Sequence, residues 1–117
     1  MNVAKIENSI HFFSEHPELG EILMITSAQE VVGYCILTNY WSNEYGGRVV
    51  LIDELLIEQS QRGQGFGASF LNLLVQNNHR KAVVYELEVL PDNSSVIGFY
   101  ENLGFINYQR THLRKVL

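Results

Sequence analysis

The sequence predicts an α+β fold in which a mixed β-sheet, built from an antiparallel hairpin plus one parallel βαβ unit, is flanked by helices. Two observations support this prediction. The first half of the chain contains three runs of β-branched and apolar residues separated by turn-forming residues. In the second half, segments with apolar residues at helical spacing alternate with another β-branched run, which is typical of a strand–helix–strand unit.

The first half is predicted to contain one helix and three strands. Apolar residues recur on one helical face over residues 3–15, which predicts an amphipathic helix. β-Branched runs over about 21–27 and 31–39 predict two strands joined as a hairpin. Turn-forming and aromatic residues over 40–47 predict a loop, and a third strand is predicted over about 48–57.

The second half begins with a predicted helix that runs from Phe66 to about residue 77. Its core face is predicted from the spacing of Phe66, Phe70, Leu73 and Leu74. These apolar residues fall on one side of a helix, so we expect them to face the sheet.

The rest of the second half alternates between strand and helix. A strand is predicted over 82–90, and a helix over about 95–103 that Gly104 ends. The run 105–110 then predicts a final strand. The helix of 66–77 and the strand of 82–90 would complete the parallel βαβ unit.

Composition and charge limit the class of protein. The 117 residues, of which 46% are apolar, predict a single domain over 1–117 with an ordinary hydrophobic core. Eight Lys and Arg against 13 Asp and Glu give a net charge of −5, so we expect no binding to nucleic acid. No apolar run resembles a membrane span or a secretion signal, so we expect a cytoplasmic protein with no membrane partner.

The thiol and imidazole groups predict neither a disulfide framework nor a metal site. Cys35 is the single cysteine, and its apolar surroundings predict a buried core residue. Four histidines are scattered along the chain without the spacing of metal ligands, namely His11, His16, His79 and His112. We therefore expect no metal cofactor.

The glycine-rich segment 63–67 joins the third strand to the following helix and is the most informative part of the sequence for function. The first backbone N–H groups of a helix have no intrahelical partner, so such a segment can bind a phosphate or pyrophosphate. Arg62, just before the glycines, could donate to the same anion. The alternative is that the glycines only satisfy the geometry of a tight connection. These residues alone leave both interpretations open.

Two known phosphate loops can be compared with this segment. A Walker A loop requires Gly-Lys-Ser/Thr after its spacer, and the segment lacks it. Gly63, Gly65 and Ala68 satisfy the dinucleotide-binding fingerprint, and Glu88 follows about 20 residues later. A Rossmann turn begins directly at the strand end, however, whereas residues 58–62 intervene here. We therefore interpret the dinucleotide match as accidental.

The glycine segment resembles the acyl-coenzyme A motif of the GNAT superfamily of N-acetyltransferases, Gln/Arg-x-x-Gly-x-Gly/Ala, which Arg62, Gly65 and Gly67 fill. The segment 93–105 resembles the second signature of that family, an Asn followed by a helix that bears Phe-Tyr and ends in Leu-Gly-Phe. The two signatures occur in the family's order with a strand between them. Together with the flanking strands, the resemblance covers about residues 21–110.

The resemblance implies a GNAT-like mixed sheet and an N-acetyltransferase that uses acetyl-CoA as cosubstrate. Because few residues precede the hairpin, it implies a small, N-terminally shortened member whose first strand is missing. Members of the family transfer the acetyl group to a primary amine by direct attack in a ternary complex, without a metal. The residues implied to bind coenzyme A are Leu56, Ile57, Arg62, Gly63, Gln64, Gly65, Phe66, Gly67, Asn93 and Phe99.

The resemblance also implies catalytic roles. An amine is almost fully protonated at neutral pH, so the site needs a base. The family's strand carries an acidic pair that matches Asp53 and Glu54, and either residue is a candidate base. Pleat alternation predicts that the two point to opposite faces, so that at most one shares the cleft. Tyr100 is the candidate acid for the departing thiolate, although without the resemblance a buried structural tyrosine would be favoured.

Three residues of the predicted loop are candidates for binding the acceptor. Trp41, Glu44 and Tyr45 combine aromatic rings with a carboxylate, which suits a small cationic amine, although a packed loop explains them equally well. A second subunit could supply the wall that the missing strand leaves open, so a homodimer is expected. The alternative function is a module that binds coenzyme A with little or no catalysis.

Overall fold

The computed structural model describes residues 3–117, and residues 1 and 2 of the predicted domain lie outside the described residues. The helices and strands are α1 (Val3–Glu15), β1 (Gly20–Ser27), β2 (Glu30–Ser42), β3 (Gly47–Ile57), α2 (Phe66–Gln76), β4 (Ala82–Glu86) and α3 (Ile97–Asn102). Short 3-10 segments occupy Gln59–Gln61, His79–Lys81 and Pro91–Val96. Within residues 3–117 the element that precedes β1 is the helix α1.

The four strands form one mixed sheet in the order β1-β2-β3-β4. β1 pairs with β2 and β2 with β3 in antiparallel fashion, while β3 and β4 are parallel. The predicted combination of an antiparallel hairpin and a parallel βαβ unit is therefore confirmed. A two-residue turn of Ala28 and Gln29, with φ of +50° and +69°, joins β1 to β2. Turns with two left-handed residues match the twist of a hairpin.

The loop predicted over 40–47 is wrong for half of its length, namely residues 40–42 and 47. β2 continues to Ser42, because Tyr40 pairs with Val49 and Trp41 pairs with Arg48 across the hairpin. Aromatic side chains suit the pleated surface of a strand, and cross-strand partners outweigh local turn propensity. The connection between β2 and β3 is therefore confined to residues 43–46.

α2 covers one face of the sheet and completes the hydrophobic core. The buried core cluster consists of Cys35, Leu37, Val50, Ile52, Leu71 and Leu74, and the burial of Cys35 was predicted. The predicted core position of Leu73 is wrong, since this residue is 56% exposed. Leu71 is buried in its place, because an apolar run such as 73–75 does not by itself show which side of the helix contacts the sheet.

The strand predicted over 82–90 is too long. The parallel ladder ends where Leu51 pairs with Glu86, and β4 ends at the same residue. Beyond this pair the chain separates from β3, so residues 87–90 have no ladder partner there and are not a strand. α3 also begins later than predicted, because the turn that precedes it is a 3-10 segment.

The final strand predicted over 105–110 is absent from the described residues. The Asn107 side-chain oxygen accepts a hydrogen bond of 3.1 Å from the backbone N–H of Gln109. Gln109 has a φ of +47°, which interrupts an extended chain. The β propensity of this segment is therefore overridden by a local turn.

β2 and β3 pack so closely at Gly33 that a side chain has no room there. A Cβ on Gly33 would lie 2.2 Å from the carbonyl oxygen of Leu56, whereas a Cβ on Gly98 of α3 would meet nothing within 4 Å. Gly33→Ala is expected to lower the free energy of unfolding by about 1–3 kcal/mol through overpacking. Gly98→Ala, the matched control, is expected to raise it by up to about 1 kcal/mol because Ala favours a helix. Urea denaturation followed by circular dichroism measures both, and equal effects would contradict this packing.

Candidate active site

A cleft opens where β3 and β4 separate. Their pairing ends at Leu51 and Glu86, whereas β3 continues to Ile57. The cleft has a volume of about 640 Å³ and is lined by residues 51–55 of β3, by residues 87–90 and by parts of the following segments. The polar and charged side chains that line it belong to Asp53, Glu54, Glu88, Asn93, Tyr100 and Arg114.

Both carboxylates of the acidic pair line this cleft. The pairing of β2 with β3 shifts at this point, since Leu37 is opposite Ile52 and Ile36 is opposite Glu54. Asp53 is therefore an extra residue in β3, which is a β-bulge. The expectation that at most one of the pair shares the cleft is wrong, because the bulge interrupts pleat alternation where β3 leaves β4.

Glu54 is held by a hydrogen bond and Asp53 is not. Tyr34 of β2 donates its hydroxyl to the Oε1 atom of Glu54 over 2.6 Å. Burial, followed by this hydrogen bond, raises the pKa of Tyr34 to about 12, so the phenol remains a donor at neutral pH. Among the residues that the structure describes, no side chain binds the Asp53 carboxylate.

Tyr100 of α3 brings a phenol to the same cleft. Its ring packs against the core cluster, with edge contacts to Phe99 and Phe105 at centroid distances of 5.1 and 5.7 Å. Burial raises the pKa of Tyr100, with a smaller contribution from Cys35. The phenol therefore stays protonated at neutral pH and is available as a donor.

The glycine segment forms a turn directly before α2. Gly63 and Gly65 have φ of +81° and +83°, in the left-handed region that favours glycine. Gly65 is the residue that precedes the first helical position, Phe66, which is partly buried. A Cβ at either glycine would meet nothing within 4 Å, so the turn is open to a ligand on this side.

Two polar side chains brace this turn. The Nε atom of Arg62 donates to the carbonyl oxygen of Ile57 over 2.8 Å, which ties the turn to the end of β3. Gln64 donates from Nε2 to the Oε1 atom of Gln61 over 3.2 Å. Arg62 therefore uses one of its donors within the protein, whereas the sequence predicted only a role toward an anion.

The other residues implied to bind coenzyme A lie between the turn and the cleft. Leu56 and Ile57 form the end of β3 and are partly buried. A Cβ on Gly67 would lie 3.9 Å from Ile57 and 3.5 Å from Phe99, so β3, α2 and α3 meet beside the turn. Asn93 lies in the 3-10 segment before α3 and lines the cleft.

The three acceptor candidates lie outside the cleft lining. Trp41 is part of β2 and is 73% exposed. Glu44 forms a bidentate ion pair with Arg110, whose Nη1 donates to Oε1 over 2.8 Å. Tyr45 contributes instead to a separate cavity of about 460 Å³ beside the edge of β4.

Sequence reasoning missed two charged residues of the cleft and the partner of Glu54. Glu88 and Arg114 both line the cleft, and Nη2 of Arg114 lies 3.7 Å from Oε2 of Glu88. For Glu88 the available signal was the alternation of Glu86 and Glu88 with apolar neighbours. Tyr34 had no local signal, because its contact with Glu54 depends on strand register.

The described residues hold no group of three or more His, Cys, Asp or Glu side chains placed to bind a metal ion. Within the same range, no helix is long and apolar enough to cross a membrane.

The fold and the cleft define an α+β protein in which a parallel strand pair separates beside a glycine turn and a helix N-terminus. A family model described as Acetyltransferase (GNAT) family matches residues 3–105. The chain therefore belongs to this family, whose members use acetyl-CoA as cosubstrate. A comparison with curated proteins gave no match.

Solved structures share the fold. An integron cassette protein from the mobile metagenome of Cole Harbour Salt Marsh is 29% identical, with a TM-score of 0.78 over 94% of this chain and 68% of that chain. A possible acetyltransferase from Clostridium difficile 630 is 16% identical, with a TM-score of 0.86 over 100% and 78%. A ribosomal-protein-alanine N-acetyltransferase from Brucella melitensis biovar Abortus 2308 is 17% identical, with a TM-score of 0.71 over 90% and 79%. The last two comparisons show the fold alone.

The raised pKa of Tyr100 can be measured directly. Subtracting the alkaline titration of Tyr100→Phe from that of the wild type, by ultraviolet absorbance of tyrosinate, isolates the signal of this phenol. Because burial disfavours the phenolate, the difference signal is expected to appear above the ordinary tyrosine pKa of about 10. In denaturant the pKa of Tyr100 is expected to return to the ordinary value. A folded-state signal at or below that value would contradict the burial of the hydroxyl.

Proposed function

We propose that this protein is an acetyl-CoA-dependent N-acetyltransferase that acetylates a primary amine of a small acceptor. The observation that carries the proposal is the meeting of Asp53, Glu54 and Tyr100 in one cleft. A carboxylate can accept the proton of an amine, and a neutral phenol can donate to a leaving thiolate. Membership of the family indicates acetyl-CoA as the acyl donor. The cleft contains the two kinds of group that acyl transfer needs, a base and an acid.

The pyrophosphate of coenzyme A is assigned to the glycine turn. The backbone N–H groups of residues 64–67 stand at the N-terminus of α2, where they have no helical acceptor. The open space at Gly63 and Gly65 fits the close approach of an anion. Because the chain has a net charge of −5, binding of this anionic cosubstrate depends on local donors rather than on the overall charge.

The pantetheine arm is assigned to the gap between the strands. Beyond Leu51, the edge of β3 that faces the cleft no longer pairs with β4. Free backbone donors and acceptors on such an edge suit the amides of an extended ligand. Leu56 and Ile57 at the end of β3, with Asn93 and Phe99 across the gap, are proposed to contact the arm.

Removal of the amine proton is the first chemical requirement. A lysine-like amine is neutral in only about one molecule in 2,500 at pH 7, which corresponds to roughly 4.6 kcal/mol. A carboxylate in the cleft, Asp53 or Glu54, is proposed to accept this proton directly or through water. The nitrogen lone pair can then attack the thioester carbon.

Departure of the thiolate is the second requirement, and Tyr100 is proposed to meet it. A free thiol has a pKa of about 8.5, whereas burial raises that of Tyr100 above its usual value. The phenol is therefore neutral before reaction, and it stabilises the developing thiolate as a hydrogen-bond donor before proton transfer. The proton of Tyr100 passes to the thiolate and leaves with coenzyme A. The tyrosinate that remains takes up a proton from solvent.

The acceptor is proposed to be a cationic amine. Asp53, Glu54 and Glu88 give the cleft three carboxylates against one guanidinium, that of Arg114. Trp41, Glu44 and Tyr45 lie outside the cleft, so we propose them only for an acceptor long enough to reach the β2–β3 turn. Such an acceptor would have to displace Arg110 from Glu44, an exposed pair of the kind that contributes little to stability.

Two wider expectations also remain proposals. The protein is proposed to act in the cytoplasm, without a nucleic-acid or membrane partner. It is also proposed to form a homodimer, since β1 pairs only with β2 among the described residues and leaves one sheet edge open.

The coenzyme A assignment predicts a specific effect of Gly65→Val. A β-branched side chain is strained at φ of +83° and would also stand in the open turn, so acetyl-CoA is expected to bind at least about tenfold more weakly. Gly104→Val is the matched control, because Gly104 has φ of +95° and equally open surroundings but lies after α3. Isothermal titration calorimetry measures both variants. Normal acetyl-CoA binding by Gly65→Val would overturn the assignment.

The acid role predicts a loss of turnover in Tyr100→Phe without a loss of binding. We expect kcat to fall by about 100-fold, within the usual range for removal of an acid, and the Kd of acetyl-CoA to stay within about twofold. Tyr85→Phe is the control, since Tyr85 is a core phenol that hydrogen-bonds to the carbonyls of Leu74 and His79. Thiol release measures turnover on polyamines, amino acids, aminoglycosides and peptide N-termini. Unchanged kcat would remove Tyr100 as the acid.

A further inference from the structure

Tyr34 and Glu54 form a hydrogen bond across β2 and β3 beside the cleft. The hydroxyl of Tyr34 donates to Oε1 of Glu54 over 2.6 Å. Tyr34 is opposite Leu56 and Glu54 is opposite Ile36, so the two side chains are diagonal neighbours on one face of the sheet. A long aromatic side chain can span this diagonal, and the contact fixes one oxygen of the carboxylate.

The bulge in β3 determines which carboxylate Tyr34 reaches. Upstream on β3, Ile52 is opposite Leu37, so without the extra residue Ile36 would be opposite Asp53. Glu54 would then be opposite Cys35, whose side chain is in the core. The bulge therefore brings Glu54 to the face of Tyr34.

We propose that Tyr34 is a positioning residue that fixes the Glu54 carboxylate at the cleft, so that Glu54 rather than Asp53 takes the proton of the acceptor amine. This inference rests on the proposed function. Tyr34 itself is not among the residues that line the cleft, so it acts through Glu54.

The hydrogen bond holds the Glu54 carboxylate in one position at the cleft, which a base needs. Ordering a free Glu side chain costs conformational entropy, and the bound oxygen supplies this order before the acceptor arrives. Because the pKa of Tyr34 is raised to about 12, the donor persists throughout any practical assay range.

The step balances with the groups that the proposed function names. The N–H bond of the ammonium form breaks, and its proton passes to the second oxygen of Glu54. The nitrogen lone pair forms the new bond to the thioester carbon, and the nitrogen, which is then positively charged and acidic, releases its second proton to solvent. The C–S bonding pair leaves with the thiolate, which takes a proton through Tyr100.

The test compares two tyrosines of β2. Tyr40 also donates its hydroxyl to a glutamate, Glu86, over 2.7 Å, and its pKa is likewise raised to about 12. Tyr34→Phe and Tyr40→Phe therefore each remove one exposed phenol–carboxylate hydrogen bond from the same strand. Thermal unfolding is expected to shift equally in both, because such bonds contribute similar amounts to stability.

Turnover is expected to separate the two variants. Tyr34→Phe should lower kcat by about tenfold, the effect of losing one hydrogen bond to a charged group, with the KM of acetyl-CoA unchanged. Tyr40→Phe should change neither. Added to Glu54→Gln, the Tyr34→Phe change should have almost no further effect, since both would remove one function. Asp53→Asn should cost less than Glu54→Gln.

Each other result overturns a stated part of the proposal. Equal losses in the two tyrosine variants, or additive losses of Tyr34→Phe and Glu54→Gln, would mean that Tyr34 does not act through Glu54. A larger loss in Asp53→Asn would assign the base to Asp53. In these cases the wild type is active and the proposed function stands. A wild type that binds acetyl-CoA but acetylates none of the amines overturns the proposed function, and this inference with it.

Discussion

The early end of the pairing between β3 and β4 is the constraint on which the candidate site depends. β4 stops pairing at Glu86, while β3 continues six residues beyond Leu51, to Ile57. A strand edge that loses its neighbour carries unpaired backbone N–H and C=O groups. Here those groups face a cleft within the protein instead of another strand. The bulge at Asp53 adds local twist to β3, which favours its divergence from β4.

The opening also brings side chains from the two faces of the sheet to one cleft. Tyr100 packs with the core on the face that Cys35 occupies, whereas Tyr34 and Glu54 lie on the other face because successive residues alternate. In a continuous sheet the backbone would separate a donor on one face from an acceptor on the other. Only where the strands part can both reach the same cavity.

The sequence predicted the glycine turn, which depends on a local signal. Gly63 and Gly65 adopt left-handed conformations that only a short stretch of chain determines, so the turn before α2 was predictable. The bulge at Asp53 was not, because a strand that carries an extra residue has the same composition as one that does not. The contact of Tyr34 with Glu54 joins residues 20 positions apart and follows from that bulge, so it depends on register rather than on a motif.

Contacts fix β3 and β4 at the end where they are paired. These contacts leave the other end of the two strands free to diverge. Arg80, just before β4, donates to Asn39 over 2.7 Å and pairs with Glu21 over 3.2 Å, while its carbonyl accepts from Arg48. The side chain of Arg80 is only 14% exposed, so its ion pair is screened less than a surface pair. Arg48 is also the first residue of the parallel ladder. Since this network anchors both strands at their start, the width of the cleft is set beyond Leu51, by the bulge and by the course of the chain after β4.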